Sequence, residues 1–177
     1  MQNSVPKGEG GMTAVLGATI EDIENLLKEN QDSFKVEIAN DNSEGQIVLS
    51  GRIQDFDKLS VLLKEKKIKN IRLPVSAPFH CSLMNKATEI MQEELSKLKF
   101  KKGTNPLISN ITADEIFNAE ELKDLLVKQI ENRVRWRESV INMVNKGVNQ
   151  FIEIGPGKVL SGLVKRINKE VLVSSIN

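Results

Sequence analysis

Between Met12 and Leu73 the apolar residues switch repeatedly between the two-residue period of a strand and the 3.6-residue period of a helix. Few folds are compatible with that switching. Met12 to Gly17 reads as a short strand. Thr19 is the expected N-cap of a helix, with Glu21 and Asp22 in the first turn, where the helix dipole favours anions. Ile20, Ile23, Leu26 and Leu27 follow at helical spacing. Phe34, Val36 and Ile38 alternate with Lys35, Glu37 and Ala39, the mark of a half-buried strand. Asn40 to Gly45 is dense in turn formers, which places Asn42 in a hairpin turn before a strand from Gln46 to Ser50. Ile53, Phe56, Leu59, Leu62 and Leu63 mark a second amphipathic helix, and Lys69 to Leu73 a fourth strand. The order β-α-β-β-α-β is the split βαβ pattern of ferredoxin-like domains.

The next stretch, Arg72 to Met84, holds the only histidine, the only cysteine and two of the five prolines. Each proline pushes the residue before it toward extended geometry, so Leu73 and Ala77 should be extended. A helical pattern starts at Leu83 and runs through Ala87, Ile90, Met91, Leu95 and Leu98. His80 therefore stands at the end of an extended segment, just before a helix. Histidine alone has an unperturbed pKa near neutrality, so His80 is the first candidate for proton transfer. Taken by itself, a capping or packing role explains it as well.

Beyond His80, strands are expected at Pro106 to Ile111, Phe151 to Ile154 and Val171 to Val173. Helices are expected around Leu122 to Ile130, Trp136 to Val144 and Leu160 to Ile167. Helices alternating with short apolar strands suggest a mainly parallel, two-sided sheet, and three strands leave such a sheet incomplete. The polar, glycine-rich start, residues 1–11, reads as a linker.

Composition narrows the functions. Lys plus Arg number 25 and Asp plus Glu 24, so no global charge argues for nucleic acid, and 4% aromatics without tyrosine provide few stacking platforms. One cysteine excludes an internal disulfide framework and fits a reducing, cytoplasmic setting. No apolar run approaches the roughly 20 residues of a membrane span. One His and one Cys give no metal-ligand spacing. Cys81 beside His80 suggests a thiol nucleophile, but neighbouring side chains diverge, and a packing residue is the simpler account. Gly155-Pro156-Gly157-Lys158 joins a strand to a helix and could cradle a phosphate, but it is neither a Walker loop nor a dinucleotide fingerprint. No Gly-x-Ser-x-Gly occurs, so a candidate base has no nucleophile elbow.

Four groups of residues, in order, carry a resemblance. They are Met1-Gln2 to Val5-Pro6 with Gly8, Gly10 and Gly11-Met12; Asn42-Ser43 with Gly45 to Val48 and Ser50-Gly51; Leu73 to Ser76 with Pro78 and His80; and Ile154 to Leu160. Together they resemble the malonyl-CoA:acyl carrier protein transacylases of fatty acid synthesis, over essentially the whole chain. The resemblance implies an α/β protein. Residues 12–73 would be a ferredoxin-like subdomain, and residues 74–177 the C-terminal part of a large α/β-hydrolase-like acyltransferase domain. It implies that His80 is the general base and that the Gln129 backbone carbonyl orients it, in place of a triad carboxylate. It also implies that Asn42 reaches toward the site and that Phe79 favours malonyl by crowding branched acyl groups. The substrates would be malonyl-CoA and phosphopantetheinylated acyl carrier protein, with no further cofactor. The chain departs from the family in lacking the serine motif, the oxyanion-hole glutamine and the malonate-gripping arginine, so a missing N-terminal half is the expected partner. The alternative is a non-catalytic ferredoxin-like module that binds an acidic carrier protein or a small metabolite, with His80 structural.

Overall fold

The computed structural model describes residues 4–6 and 8–177. Its first unit runs β1 (Gly10–Leu16), α1 (Ile20–Glu29), β2 (Val36–Ser43), β3 (Gln46–Arg52), α2 (Ile53–Glu65) and β4 (Lys69–Arg72). The four strands form one antiparallel sheet in the order β2-β3-β1-β4. Thr19 caps α1 in a reciprocal box. Its Oγ1 accepts from the Asp22 N–H at 3.1 Å, and Asp22 accepts from the Thr19 N–H at 3.0 Å.

Both faces of this sheet are covered, because side chains alternate along each strand. Val15, Ile47 and Leu49 meet Ile23 and Leu26 of α1 and Phe56, Leu59 and Leu63 of α2. Met12, Ala39 and Val48 form a separate cluster, against which Leu73 and Phe79 pack. The chain after β4 is thereby laid on the face opposite the two helices. Gly10 permits the contact: a Cβ there would come within 2.4 Å of the buried Pro78 ring.

Two expectations for this unit need correction. The hairpin turn is shorter than its composition suggests, because Asn40 to Ser43 belong to β2 and Ser43 pairs with Gln46. Asn42 is a strand residue. Register shifts at Ile38/Asn40 and Asp41/Ser43 accommodate these turn formers, and only Gly45, at φ 66°, takes the left-handed conformation in the turn. The expected linker is also shorter. Val5 is buried with Met84, Ala87 and Ile130, β1 already begins at Gly10, and the Glu9 carbonyl accepts from the Ile53 N–H at 2.9 Å. The remainder of that expectation, Met1 to Asn3 and Lys7, lies outside the described residues.

The rest of the chain continues through a single 3₁₀ turn (Ser82–Met84) into α3 (Asn85–Ser96), β5 (Leu107–Ile108), β6 (Glu115–Ile116) and α4 (Ala119–Lys128). It ends with α5 (Trp136–Asn145), β7 (Gln150–Ile154), α6 (Val159–Ile167) and β8 (Leu172–Ile176). Here the expected mainly parallel sheet is two small ones. β5 and β6 pair antiparallel, and β7 and β8 pair parallel. Only two residues of the expected Pro106 to Ile111 strand pair. Beyond them the Ala113 N–H turns back to the Ser109 carbonyl, which ends the strand and starts the return to β6, an element without a sequence signal.

Val140, Val164 and Val171 form the core under β7 and β8, with Trp136, Phe151 and Val173 around them. The other face of that pair is bare: Ile154 is 81% exposed, Leu172 65%, Ile176 57% and Ile152 53%. Burying such a side chain stabilises by about 1.5–3 kcal/mol, which this unit forgoes at each position. A two-stranded sheet is marginal without such cover. Amide hydrogen exchange on the chain alone should therefore find the slow amides in β1, β2 and β3 and fast ones in β7 and β8. Equal protection in the two sheets of a monomer would contradict this account.

Candidate active site

His80 sits in a turn with φ 60°, the left-handed region, which histidine enters more readily than most residues but at some cost in strain. The extended segment ends earlier than the sequence suggests, with bends at Ser76 and Ala77 and a turn at Phe79 and His80. Buried Pro78 and Cys81 pin the turn on both sides, and the Cys81 Sγ–H donates to the Pro78 carbonyl at 3.2 Å. Burial raises the Cys81 pKa, so the thiol stays protonated and serves packing.

The His80 ring is half-buried, and its Nδ1 lies 2.7 Å from the Gln129 backbone carbonyl. That carbonyl only accepts, so Nδ1 carries the hydrogen and donates it, and Nε2 keeps its lone pair. Burial lowers the His80 pKa below its ordinary 6.5, while the Gln129 bond opposes the shift. The neutral, lone-pair form is therefore favoured near pH 7. The Gln129 side chain turns away and donates from Nε2 to the Asn132 carbonyl at 3.1 Å. The contribution to His80 is from the backbone alone.

Around the ring lies an open depression of about 340 Å³, lined by Glu24, Leu27, Glu37, Ile38, Glu131 and Arg133 among others. A hollow of about 550 Å³ beside Arg52, Ile53 and Leu83 is larger but is lined by no histidine. Asn42 is half-buried on β2 and does not line the His80 depression. Phe79 is half-buried between two apolar clusters, touching the Met12–Ala39–Val48 group on one side and the Val5–Met84–Ile130 group on the other. Of the four sequence candidates, the structure brings His80 and Gln129 together and places Phe79 beside His80 in the same turn.

Residues the sequence did not single out bond to the two loops that carry this pair. The Glu37 carboxylate accepts from the Ser82 N–H at 3.0 Å and the Ser82 Oγ–H at 2.5 Å. Behind Gln129, the Val134 N–H donates to the Ala39 carbonyl at 2.7 Å, and the Asp41 N–H donates to the Val134 carbonyl at 2.9 Å. Asp41, 1% exposed, takes Arg137 Nε at 3.0 Å and a further guanidinium nitrogen at 2.9 Å. The partners lie 96 positions apart, so no local spacing could have revealed the pair.

The glycine-rich turn does not act as an anion cradle. At the N-terminus of α6 the Glu153 carboxylate accepts from the Leu160 N–H at 3.1 Å and the Ser161 N–H at 2.7 Å. The chain's own anion thus occupies the donors that a phosphate would need. Among the described residues no group of three or more His, Cys, Asp or Glu side chains could hold a metal ion. No described helix is long and apolar enough to cross a membrane.

No family model matches the chain. Curated proteins and solved structures do. The malonyl CoA-acyl carrier protein transacylase of Bacillus subtilis is 40% identical over 179 residues, covering 100% of this chain and 56% of that protein. The crystal structure of the transacylase from Clostridium perfringens superposes with a TM-score of 0.95 at 40% identity, covering 99% of this chain and 56% of that one. A malonyl-transacylase solved in complex with a type II PKS acyl-carrier protein gives 0.92 at 35%, covering 99% of this chain and 57% of that one. With this agreement in sequence and fold, the chain belongs to the malonyl CoA-acyl carrier protein transacylase family. It spans somewhat over half the length of the relatives it matches.

Proposed function

We propose that this chain is the base-carrying, C-terminal portion of an acyl carrier protein S-malonyltransferase, acting in the cytoplasm in fatty acid biosynthesis. In this reading residues 12–73 are a ferredoxin-like subdomain, supported by the antiparallel order β2-β3-β1-β4 with two helices on one face. Residues 74–177 belong to the large acyltransferase domain. The nucleophilic serine lies outside this stretch, which contains no Gly-x-Ser-x-Gly.

The chemistry is two-step acyl transfer. His80 Nε2 takes the proton of the serine hydroxyl as oxygen attacks the malonyl thioester carbonyl, then returns it to the departing sulfur, so that coenzyme A leaves as the thiol and His80 is neutral again. His80 then takes the proton of the carrier protein's phosphopantetheine thiol, whose sulfur attacks the malonyl ester and frees the serine. No cofactor enters beyond the two substrates. The observation that carries the reading is the 2.7 Å contact between His80 Nδ1 and the Gln129 carbonyl, which leaves Nε2 free as a base. Asn42 and Phe79 are assigned to the substrate side on the family pattern alone.

Radiolabelled malonyl-CoA and carrier protein test the function. The chain should transfer no label alone. It should transfer label when co-expressed with the part of the Bacillus subtilis relative that it does not match. Burial lowers the His80 pKa from its ordinary value, which favours the neutral base. Lowering the pH should reduce kcat/KM along an acid limb centred below 6.5, as the imidazole protonates. A limb centred above 6.5 would assign the titration to another group.

A further inference from the structure

We propose that Glu37 is a positioning residue for His80 and that β2 sets the geometry of the His80–Gln129 pair from both sides. The pair joins two loops that are 49 positions apart in sequence, so something outside both must hold them in register. β2 touches both. At Glu37 it grips the loop that carries His80, through the two bonds from Ser82. Two to four residues further along, Ala39 and Asp41 exchange backbone hydrogen bonds with Val134, in the loop that presents the Gln129 carbonyl. Between the grips β2 carries the register shift at Ile38/Asn40, and pairing with β3 on either side of it, Glu37 with Ser50 and Asp41 with Ile47, fixes their separation.

The grip at Glu37 is charge-assisted, with the Ser82 N–H and Oγ–H both donating to one carboxylate oxygen, Oε1. It acts two residues beyond a backbone held at φ 60°. Without it the turn can relax toward commoner backbone angles and the ring can swing from the carbonyl. The charged groups that face the ring are Glu24, Glu37 and Glu131, with Arg133 bonded to Glu24 at 2.7 Å. The consequence for catalysis rests on the reading of His80 as the base; the geometric claim does not.

His80 is the only histidine, so its ring can be followed without assignment ambiguity by nitrogen-15 NMR of the chain. The wild type should show Nδ1 protonated and a pKa below 6.5. Glu37→Ala should mix the tautomers and move the pKa toward 6.5, as the ring gains solvent. Glu37→Gln keeps an oxygen that can accept both bonds and should keep the wild-type tautomer. Ser82→Ala, at an exposed site, removes one bond and should fall between. In the complemented enzyme, Glu37→Ala should lower kcat about tenfold and Glu37→Gln much less.

An unchanged tautomer and pKa in folded Glu37→Ala would overturn the proposal. So would a Glu37→Gln variant that shifts as far as Glu37→Ala, because charge and not grip would then be the cause. If Glu37→Ala does not fold, an unchanged His80 in Ser82→Ala overturns it instead. Should the NMR shifts appear while His80→Ala retains full transfer, the positioning stands and the functional reading fails.

Discussion

His80→Ala in the complemented enzyme should lower kcat by about 100- to 10,000-fold, the usual contribution of a positioned general base. The serine hydroxyl is a weak nucleophile until its proton is taken, and His80 is the only histidine in this chain. The loss should fall on kcat more than on KM, since the ring acts in the transition state and not in ground-state binding. Gln129→Ala should cost little, because the carbonyl that holds Nδ1 survives the substitution and its side chain bonds elsewhere. Asn42→Ala should cost less than His80→Ala, since it does not line the depression around the ring. Steady-state kinetics of the three variants checks the order. A near-normal His80→Ala would remove the central residue of the account.

Asp41→Ala should destabilise the chain by about 3 kcal/mol, the lower end for a broken buried ion pair. Asp41 is fully enclosed, while the Arg137 side chain keeps 22% of its exposure and can partly rehydrate. The loss exceeds that of an exposed pair such as Lys97 with Glu94, which solvent screens. It should also loosen the junction between β2 and the Val134 loop, because the pair and the backbone bonds of Asp41 share one residue. Urea denaturation measures the difference as a shift in midpoint at constant slope. Equal midpoints for Asp41→Ala and wild type would show that the pair is neutral.

The first unit was legible in the sequence because its signals are local. The cap at Thr19, the alternation of Phe34, Val36 and Ile38, and the apolar stripe from Ile53 to Leu63 each work within one element. Where the reading missed, a distant partner decided. Asn40 to Ser43 look like a turn, yet Arg137 and Val134 hold them in β2. Val5 looks like part of an arm, yet Met84 and Ile130 cover it. Leu107 and Ile108 find one short partner in β6, where the sequence suggested a longer strand. At the candidate site, His80 stood out by its uniqueness and its place between prolines and a helix. Gln129 could not, because a backbone carbonyl leaves no trace in residue type; only the family resemblance pointed there. Glu37 acts through a contact 45 positions away, and nothing in its own strand marks it.

The central claim is that residues 1–177 supply the base and a region outside them the nucleophile. Intact-mass measurement after brief exposure of the complemented enzyme to malonyl-CoA, without carrier protein, tests it most directly. The account predicts a malonyl adduct on the complementary polypeptide, lost when His80 is replaced by Ala, with this chain unmodified throughout. A stable malonyl adduct on this chain, at Cys81 or elsewhere, formed with or without the complement, would contradict it.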